Sequence, residues 1–408
     1  MHPKTWIFVL LGVCCCLLFF FHDSEMTELW LARTPRPAFT AFNIQFRKSR
    51  AKLSPQLQNV FDTFFQNVQV NWFKNEYSRR CSVSSSTGTL VAVLNGKTSG
   101  FGSVLNNAMN IILIAWEPSV NRHFTLLETP TLWSYAPLSE FFDHPVDSPC
   151  SLVRVSPNVE LLREKETFDL AMSSGTRQVR FSGKLHQTIR YFGERWSQYR
   201  NVTEEILIRD GTEKVFRRKS ALTRALWNFR PDYKALLKEL WSKVLDKNGR
   251  YFAVHIRRGD KLAAKEMENV PIEKYWEKVA SICKLLKNSC PHNVFVMYDE
   301  PEELKSLKEL AVQDASTRFF DFPMLINSTG RDLEDFVSLS PPALFVKNDK
   351  NEWFKHTQEM LLSMTLLAMS DQLICTFSSN VCRLAALIRG DLNPETIHGL
   401  DAPTWHNL

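Results

Sequence analysis

The sequence predicts an α/β protein of two domains behind a single transmembrane anchor. Three observations support this: a length of 408 residues, strand patterns that alternate with helix patterns after residue 89, and an apolar run near the N-terminus. At about 150 residues per domain, the length allows two or three domains. Because the chain is 44% hydrophobic and 23% charged, with 14 Gly and 19 Pro, a disordered, collagen-like or polytopic membrane protein is excluded.

The apolar run spans residues 6–21, WIFVLLGVCCCLLFFF, and carries no charge. It is slightly shorter than the usual membrane span of about 20 residues. Lys4 precedes the run, and Asp23 and Glu25 follow it, so the positive-inside rule places the rest of the chain in the lumen. Residues 1–22 are therefore interpreted as a cytoplasmic tip and an uncleaved type II anchor. A cleaved signal peptide is the alternative, although no small-residue cleavage site follows the run.

The segment 23–78 is polar and rich in proline at first, and then shows apolar residues at helix spacing, which is typical of a stem. An N-terminal α/β domain is expected at 79–246 and a second α/β domain at 247–408. The first begins with a strand pattern at 89–94, a loop with Gly100-Phe-Gly102, and a helix pattern at 105–116. Such a unit presents backbone N–H groups to phosphate, although Gly-x-Gly is also compatible with a plain turn.

The second domain shows strands and helices in alternation, which predicts a doubly wound sheet. A long helical pattern at 216–244 precedes it. The predicted strands are 250–256, 294–298, 317–320 and 372–376, and the predicted helices are 272–287, 302–313, 355–369 and 379–389.

The first strand of this domain runs into Arg257-Arg258-Gly259-Asp260-Lys261. Ligands of open α/β sheets bind beyond the carboxyl ends of strands. Paired guanidinium groups fit a diphosphate, and Lys261 could neutralise a leaving group. The net charge of +6 is compatible with an anion site but does not indicate a nucleic-acid binder. The alternatives are a solvated charged turn and, through Arg258-Gly-Asp260, an integrin-type tripeptide, which occurs often by chance.

Four segments resemble the GDP-fucose-dependent α1,6-fucosyltransferases. His255–Lys261 is similar to their His-x-Arg-Arg-x-Asp-Lys signature, and Pro271–Tyr275 to the Pro-Ile-Glu-x-Tyr that follows it. Asp299-Glu300-Pro301 resembles an acidic pair before proline after the next strand. Cys375–Arg383 differs from the family pattern only by Asn380 in place of Gln. The resemblance covers roughly residues 80–400 and is stronger after 250.

This resemblance implies a GT-B-like pair of domains, of which the first faces the acceptor and the second is a Rossmann-like nucleotide-sugar domain. It implies inverting transfer of fucose from GDP-fucose to an N-glycan core GlcNAc, by a Golgi type II membrane protein. The catalytic residues would be Arg257, which grips the β-phosphate, with Lys261 and Glu266 at the acceptor hydroxyl. The nucleotide-sugar site would further include His255, Arg258, Asp260, Tyr275, Asp299, Glu300, Glu359, Ser363, Ser378, Ser379, Asn380 and Val381.

No Asp-x-Asp motif, which would bridge a metal to the nucleotide, occurs in the sequence. Arginines and Lys261 would then carry the charge of the leaving group, since a departing diphosphate needs positive charge. The expected reaction needs no metal and no cofactor besides the donor. The expected partners are GDP-fucose, an N-glycan acceptor and the membrane, and no nucleic acid.

Two departures from the family pattern bear on activity. Ser363 stands where the family has a guanine-reading aspartate. Glu359, one helical turn earlier, could take over that role; otherwise the nucleotide specificity has changed or the activity is lost. The SH3-like domain that follows in the animal enzymes has no counterpart in these residues. The alternatives to an active enzyme are a silent lumenal homologue that binds glycans or partners, and another anion-handling enzyme such as a sulfotransferase.

Six of the nine cysteines lie outside the apolar run, and an even number in an oxidising lumen predicts three disulfides. The family comparison pairs Cys375 with Cys382 and Cys81 with Cys150. Cys283 and Cys290 remain for a local bridge. Buried free thiols are the alternative. The sequons at Asn201 and Asn327 are compatible with a secretory route.

Overall fold

In the computed structural model, the described residues form two β-sheets with helices packed against them. The described residues are 53–65, 75–77, 79, 89–94, 100–116, 123–128, 135–143, 153–155, 159–163, 176–181, 184–192, 200–259, 262, 267–312, 316–327, 350–402 and 405. The predicted anchor at 1–22 lies outside them, as do Cys81 and Cys150. Within the described ranges, no helix has the length and apolar character needed to cross a membrane.

The helical pattern predicted around residues 57–64 is confirmed as α1, Pro55–Phe65. Its buried residue Phe61 packs against Trp241, with ring centroids 5.7 Å apart. Phe65 lies 6.4 Å from Phe229 between ring centroids. The apolar face that the sequence pattern predicts therefore packs on the helices that precede the second domain.

The first sheet has six strands in the order β3-β2-β1-β6-β5-β4. Their bounds are β1 Thr89–Val93, β2 His123–Glu128, β3 Val153–Val155, β4 Val159–Arg163, β5 Thr176–Phe181 and β6 Lys184–Phe192. β1, β2, β3 and β6 pair in parallel, whereas β4, β5 and β6 form an antiparallel ladder. The sequence patterns predicted β1 only.

Helix α2, Phe101–Ala115, follows β1 and confirms the predicted strand–loop–helix unit. It begins four residues before the predicted position because Phe101 and Val104 are already buried on its inner face. The backbone N–H of Phe101 donates to Tyr135 Oη at 2.8 Å, which satisfies one of the free donors of the first turn.

The helical pattern predicted over 216–244 is two helices, α3 Arg200–Leu226 and α4 Pro231–Val244. The prediction of one pattern is wrong at Trp227–Arg230, where the chain is extended and Phe229 bridges to Phe142. The physical reason is Pro231 at the first position of α4: a proline disfavours helical geometry in the residue before it, and Arg230 has ψ 154°.

The second sheet is fully parallel, with the order β11-β10-β7-β8-β9, and confirms the predicted doubly wound arrangement. Its strands are β7 Phe252–Ile256, β8 Asn293–Tyr298, β9 Arg318–Phe320, β10 Gln372–Cys375 and β11 Ile397–Gly399. Its helices are α5 Ile272–Leu286, α6 Pro301–Leu310, α7 Phe322–Asn327, α8 Lys350–Met369 and α9 Asn380–Arg389. Four strands match the sequence prediction; β11 is an addition.

Strand order reverses direction between β7 and β10, because the chain goes from β7 to β8 and β9 on one side and then to β10 and β11 on the other. All five residues of β7 are buried, as expected for a central parallel strand covered on both faces. In such sheets a ligand crevice lies beyond the carboxyl ends of the two strands that flank the reversal. The loops that start at Arg257 and at Thr376 occupy those positions.

Candidate functional site

The candidate site lies at the carboxyl ends of β7 and β10. The two strands are neighbours, with Val254 opposite Ile374. The loop after β7 carries the predicted arginine pair, and the loop after β10 carries the predicted serine and asparagine residues. The sheet topology therefore brings together two segments that are more than 100 residues apart in the chain.

Arg257 forms an ion pair with Asp299, which follows β8. Its Nη1 atom lies 2.7 Å from Asp299 Oδ2, and both side chains are largely buried. The same oxygen accepts the backbone N–H of Arg258 at 2.9 Å. A carboxylate that accepts both a guanidinium and a backbone N–H orients the loop and holds the Arg257 side chain at the end of the sheet.

Arg258 uses its guanidinium mainly inside the protein. Nη2 donates to the carbonyl of Val270 at 2.8 Å, and Nε lies 3.9 Å from Glu303 Oε1. Burial, and then the charge of Asp299, raise the pKa of Glu303 to about 7, while Arg258 opposes them. Arg258 thus braces the segment between β7 and α5, and it shapes the site rather than projecting from it.

The loop after β10 is held by a carboxylate and a disulfide. Asp401 accepts the backbone N–H groups of Phe377 at 2.6 Å and Ser378 at 2.9 Å. Cys375 is bonded to Cys382, as predicted, so the end of β10 is tied to the first turn of α9. Ser379 occupies the N-cap position of α9, without a hydrogen bond from its side chain to the helix. The second predicted pair, Cys283 and Cys290, is also bonded.

The first turns of α2 and α9 meet. A Cβ atom on Gly102 would lie 3.2 Å from both Asn380 C and Val381 N, so only glycine allows this approach without a shift of the backbone. Each helix carries partial positive charge at its N-terminal end. The helix that follows the Gly-x-Gly loop and β1 therefore adds a second helix start beside the loop after β10.

Tyr135 and His356 connect this region to α8. The ring of Tyr135 stacks on the ring of His356, with centroids 6.1 Å apart. Burial raises the pKa of Tyr135 to about 12, and the N–H of Phe101 and the charge of Arg257 oppose that rise. Arg257 is consequently close enough for its charge to act at the start of α2.

Two buried histidines are neutral. Burial, followed by the charge of Arg257, lowers the pKa of His255 to about 3, and burial lowers that of His356 to about 4. Among the described residues, His255 Nδ1 and both ring nitrogens of His356 have no hydrogen-bond partner. A neutral imidazole offers one donor and one acceptor.

Ser363 and Glu359 lie on α8. Ser363 is buried, at 2% exposure, whereas Glu359 is partly exposed. Burial and the neighbouring Asp321 raise the pKa of Glu359 to about 7. Tyr298 Oη donates to Asp321 Oδ2 at 2.8 Å. Since Tyr298 ends β8 and Asp321 follows β9, Glu359 lies at the carboxyl edge of the sheet.

The remaining predicted site residues are spread over the core, the surface and the undescribed segments. Tyr275 is fully buried in the core of the second domain, with its hydroxyl near Thr376. Glu300 is exposed at the N-cap position of α6, and Val381 is half-buried in the first turn of α9. Asp260, Lys261 and Glu266 lie outside the described residues.

Several contacts of the site were not predicted from the sequence. Lys219 donates to Asn106, Asn106 donates to Asn380, and Asp401 holds the loop after β10. Asn106 lies in α2, the helix that follows the Gly-x-Gly loop, and Asp401 follows β11 by two residues. Their positions next to a glycine loop and a strand end could have marked them as candidate site residues. Lys219 lies in an ordinary amphipathic pattern, and its burial is decided by packing alone. In the described part of the chain, no three His, Cys, Asp or Glu residues group as metal ligands.

Comparison with family models gives no match. Among solved structures, the chain is similar to NodZ α1,6-fucosyltransferase co-crystallised with GDP, at 15% identity and a TM-score of 0.42, over 74% of this chain and 93% of that one. It is similar to a variant of Arabidopsis thaliana FUT1 in complex with GDP, at 12% identity and a TM-score of 0.41, over 86% and 81%. It is also similar to POFUT1 in complex with GDP-fucose, at 12% identity and a TM-score of 0.41, over 77% and 97%.

Proposed function

We propose that the protein is a GDP-fucose-dependent glycosyltransferase that transfers fucose, with inversion, to the core GlcNAc of an N-glycan. One observation carries the proposal. Arg257 directly follows β7, and the first turn of α9 follows β10; these two strands are neighbours at the point where strand order reverses. A guanidinium and a helix start at one crevice are the groups that bind a diphosphate. The motifs that resemble those of the α1,6-fucosyltransferases indicate which sugar and which nucleotide the donor contains, namely fucose and GDP.

Arg257 binds the β-phosphate in this proposal, in exchange for part of its contact with Asp299. Ser378, Ser379, Asn380 and Val381 line the diphosphate through side chains and N–H groups. Arg258 and Asp260 shape the pocket. The positive charge at this place stabilises GDP as the bond between fucose and phosphate breaks, because charge that develops on the leaving oxygen is met by fixed donors.

Glu359 reads the guanine base in this proposal. A carboxylate accepts from guanine N1–H and N2–H together, and the single hydroxyl of Ser363 does this less well. Glu359 lies at the carboxyl edge of the sheet, near Tyr298 and Asp321. His255, which is buried and neutral just before Arg257, offers an additional donor or acceptor to the nucleotide. Tyr275, Asp299 and Glu300 support the site from the core and from the loop after β8.

The transfer is a single displacement. Glu266 accepts the proton of the acceptor hydroxyl, the hydroxyl oxygen bonds to the anomeric carbon, and the bond from that carbon to the phosphate oxygen breaks. GDP leaves with the electron pair, and Lys261 neutralises its charge. No metal is assigned a role, since the sequence has no Asp-x-Asp motif and basic side chains are available for the leaving group.

The proposed organisation follows the sequence. Residues 1–22 anchor the protein in the Golgi membrane, 23–78 form the stem, 79–246 face the acceptor and 247–408 bind the donor. Cys81 and Cys150 form the third lumenal disulfide. A silent lumenal homologue is the second candidate, because Ser363 replaces the family's guanine-reading aspartate.

Calorimetry of the full chain in detergent with GDP, UDP and GDP-fucose tests the donor. GDP and GDP-fucose should bind and UDP should not. Arg257→Ala should remove binding, whereas Arg318→Ala, an exposed arginine on β9, should leave it unchanged. Absence of GDP binding, or equal binding by the Arg257 variant, contradicts the proposal. Turnover on a GlcNAc-terminated glycan with EDTA present then separates the enzyme from the silent homologue.

A further inference from the structure

A fully buried lysine, Lys219, begins a series of hydrogen-bonded polar side chains that runs through Asn106 to Asn380, the first residue of α9. Lys219, on α3, has no exposed surface. Its Nζ atom donates to Asn106 Oδ1 at 3.0 Å and lies 5.5 Å from the ring centroid of Trp405. Burial and the charge of Arg383 lower its pKa well below 10.5. Burying an amine costs free energy unless the group is hydrogen-bonded, and Asn106 is one such partner of Lys219.

Asn106 passes the contact on to the first residue of α9. Its Nδ2 group donates to Asn380 Oδ1 at 3.1 Å. The same oxygen accepts Nη2 of the buried Arg383 at 2.9 Å. Because an amide oxygen has two lone pairs, these two donors occupy both of them. The amide of Asn380 is therefore fixed with its oxygen toward Asn106 and Arg383.

The direction of each amide follows from the residue behind it. A side-chain amide has a donor end and an acceptor end of nearly equal shape, so its orientation is set by its partners. An ammonium group only donates, so it turns Asn106 Oδ1 toward Lys219, as the 3.0 Å hydrogen bond shows; a neutral amine, which also accepts, would not force this direction. Asn106 Nδ2 then donates to Asn380 Oδ1, as Arg383 Nη2 also does, and the two donors together hold the oxygen of Asn380 on their side. The Nδ2 group of Asn380 lies on the other side of its amide. Phosphate oxygens accept hydrogen bonds, so this direction suits a diphosphate and the reverse direction opposes it.

We propose that Lys219 and Asn106, together with Arg383, are positioning residues that hold the Nδ2 donor of Asn380 toward the diphosphate of the donor substrate. The inference rests on the proposed function, which places a diphosphate at the start of α9. It assigns a role to Asn380, the residue that departs from the family's Gln in this block. It also explains why a polar chain from α3 through α2 crosses the packed interior to reach that loop.

The test replaces Asn106 by a group of equal shape and opposite polarity. Asn106→Asp keeps an acceptor for Lys219 but presents an oxygen to Asn380 Oδ1, which repels it. The amide of Asn380 is then displaced from its place, or turns at the cost of the hydrogen bond from Arg383, and in both cases its Nδ2 donor leaves the diphosphate. GDP affinity of the full chain, measured by calorimetry, should fall roughly 10-fold to 100-fold, the range for a hydrogen bond to a charged group. Asn107→Asp, which adds the same charge at the next position of α2, should change GDP affinity less than about twofold.

A double-mutant cycle with Asn380→Ala separates positioning from a structural role. Asn380→Ala alone should weaken GDP binding by a similar factor, and Asn106→Asp should then cost little more. Lys219→Met removes the donor to Asn106 Oδ1, so it should weaken GDP binding in the wild-type background and have little further effect in the Asn380→Ala background. If Asn380→Ala leaves GDP affinity unchanged, or if Asn106→Asp costs as much in the Asn380→Ala background, the inference is wrong while the proposed function stands. A wild-type chain that does not bind GDP overturns both.

Discussion

Asp299 Oδ2 lies 2.7 Å from Arg257 Nη1, so the cation proposed to bind the diphosphate is already paired within the protein. The same oxygen accepts the N–H of Arg258. One carboxylate thereby fixes both the backbone and the guanidinium at the end of β7. The arrangement keeps Arg257 in place without a ligand, and it also means that a phosphate competes with a carboxylate for the same cation.

This competition leads to the first prediction. Asp299→Asn keeps an oxygen for the N–H of Arg258 but removes the charge that faces Arg257. GDP affinity should rise about threefold to tenfold. The variant loses the ion pair between Asp299 and Arg257, which stabilises the free protein and must be partly broken when the phosphate binds. Calorimetry at constant ionic strength measures it. Asp299→Ala, which also removes the acceptor of the Arg258 N–H, should not show the gain; weaker GDP binding by the Asn variant contradicts the interpretation.

The second prediction concerns the meeting of two helix starts. Gly102→Ala places a methyl group 3.2 Å from the backbone of Asn380 and Val381, whereas Gly100→Ala meets nothing within 4 Å. Overpacking of this kind lowers the free energy of unfolding by about 1–3 kcal/mol. Because the first turn of α9 must shift to relieve the contact, GDP affinity should also fall, roughly tenfold, for Gly102→Ala. Gly100→Ala is the matched control and should bind as the wild type does. Equal affinities of the two variants mean that α2 does not shape the site.

The disulfides Cys375–Cys382 and Cys283–Cys290, both within the described residues, allow a matched comparison, which is the third prediction. Cys375–Cys382 and Cys283–Cys290 each span seven positions, so loss of either should lower the free energy of unfolding by about 2–3 kcal/mol. Only the first ties the loop after β10 to α9. Cys375→Ala/Cys382→Ala should therefore weaken GDP binding roughly tenfold through lost preorganisation. Cys283→Ala/Cys290→Ala should be destabilised to the same extent and bind GDP normally.

The fourth prediction concerns pH and Glu359, whose pKa is raised to about 7 by burial and by Asp321. Only the ionised carboxylate accepts both guanine donors, so GDP affinity should fall about tenfold from pH 8 to pH 6. In Glu359→Gln the affinity should be lower at pH 8, and its change with pH should be smaller, because only the phosphate of GDP and Glu303, whose pKa is also about 7, still titrate in this range. Parallel pH profiles for the two proteins contradict a role of Glu359 at the base.

The sign for stability is opposite to that for binding. The folded pKa of Glu359 lies above the unfolded value of 4.5, so unfolding releases a proton between these two values and the carboxylate costs stability above pH 7. Without ligand, Glu359→Gln should have a higher melting temperature than the wild type at pH 8. The difference should shrink as the pH falls toward 4.5.

Local patterns predicted the second domain well because its strands are continuous apolar runs between amphipathic helices. β7, β8 and β10 lie within one or two residues of their predicted bounds. The strands of the six-stranded sheet were harder to predict from the sequence. β4, β5 and β6 form an antiparallel ladder whose sequence has no sustained apolar alternation, and β1 alone was predicted. The break before α4 was missed because the apolar spacing continues through Trp227 and Phe229, although Pro231 carries the signal.

Sequence patterns were sufficient to predict the doubly wound class, the disulfide Cys375–Cys382, the local bridge Cys283–Cys290, and the position of Arg257 at a strand end. These features depend on local periodicity, on motif resemblance or on the pairing of nearby cysteines. Tertiary structure decided which groups meet that strand end. Asp299 on Arg257, Gly102 against Asn380, and Lys219 behind Asn106 join residues 40 to 280 positions apart. Such contacts follow from how the sheets and helices pack, and a pattern along the chain does not contain that information.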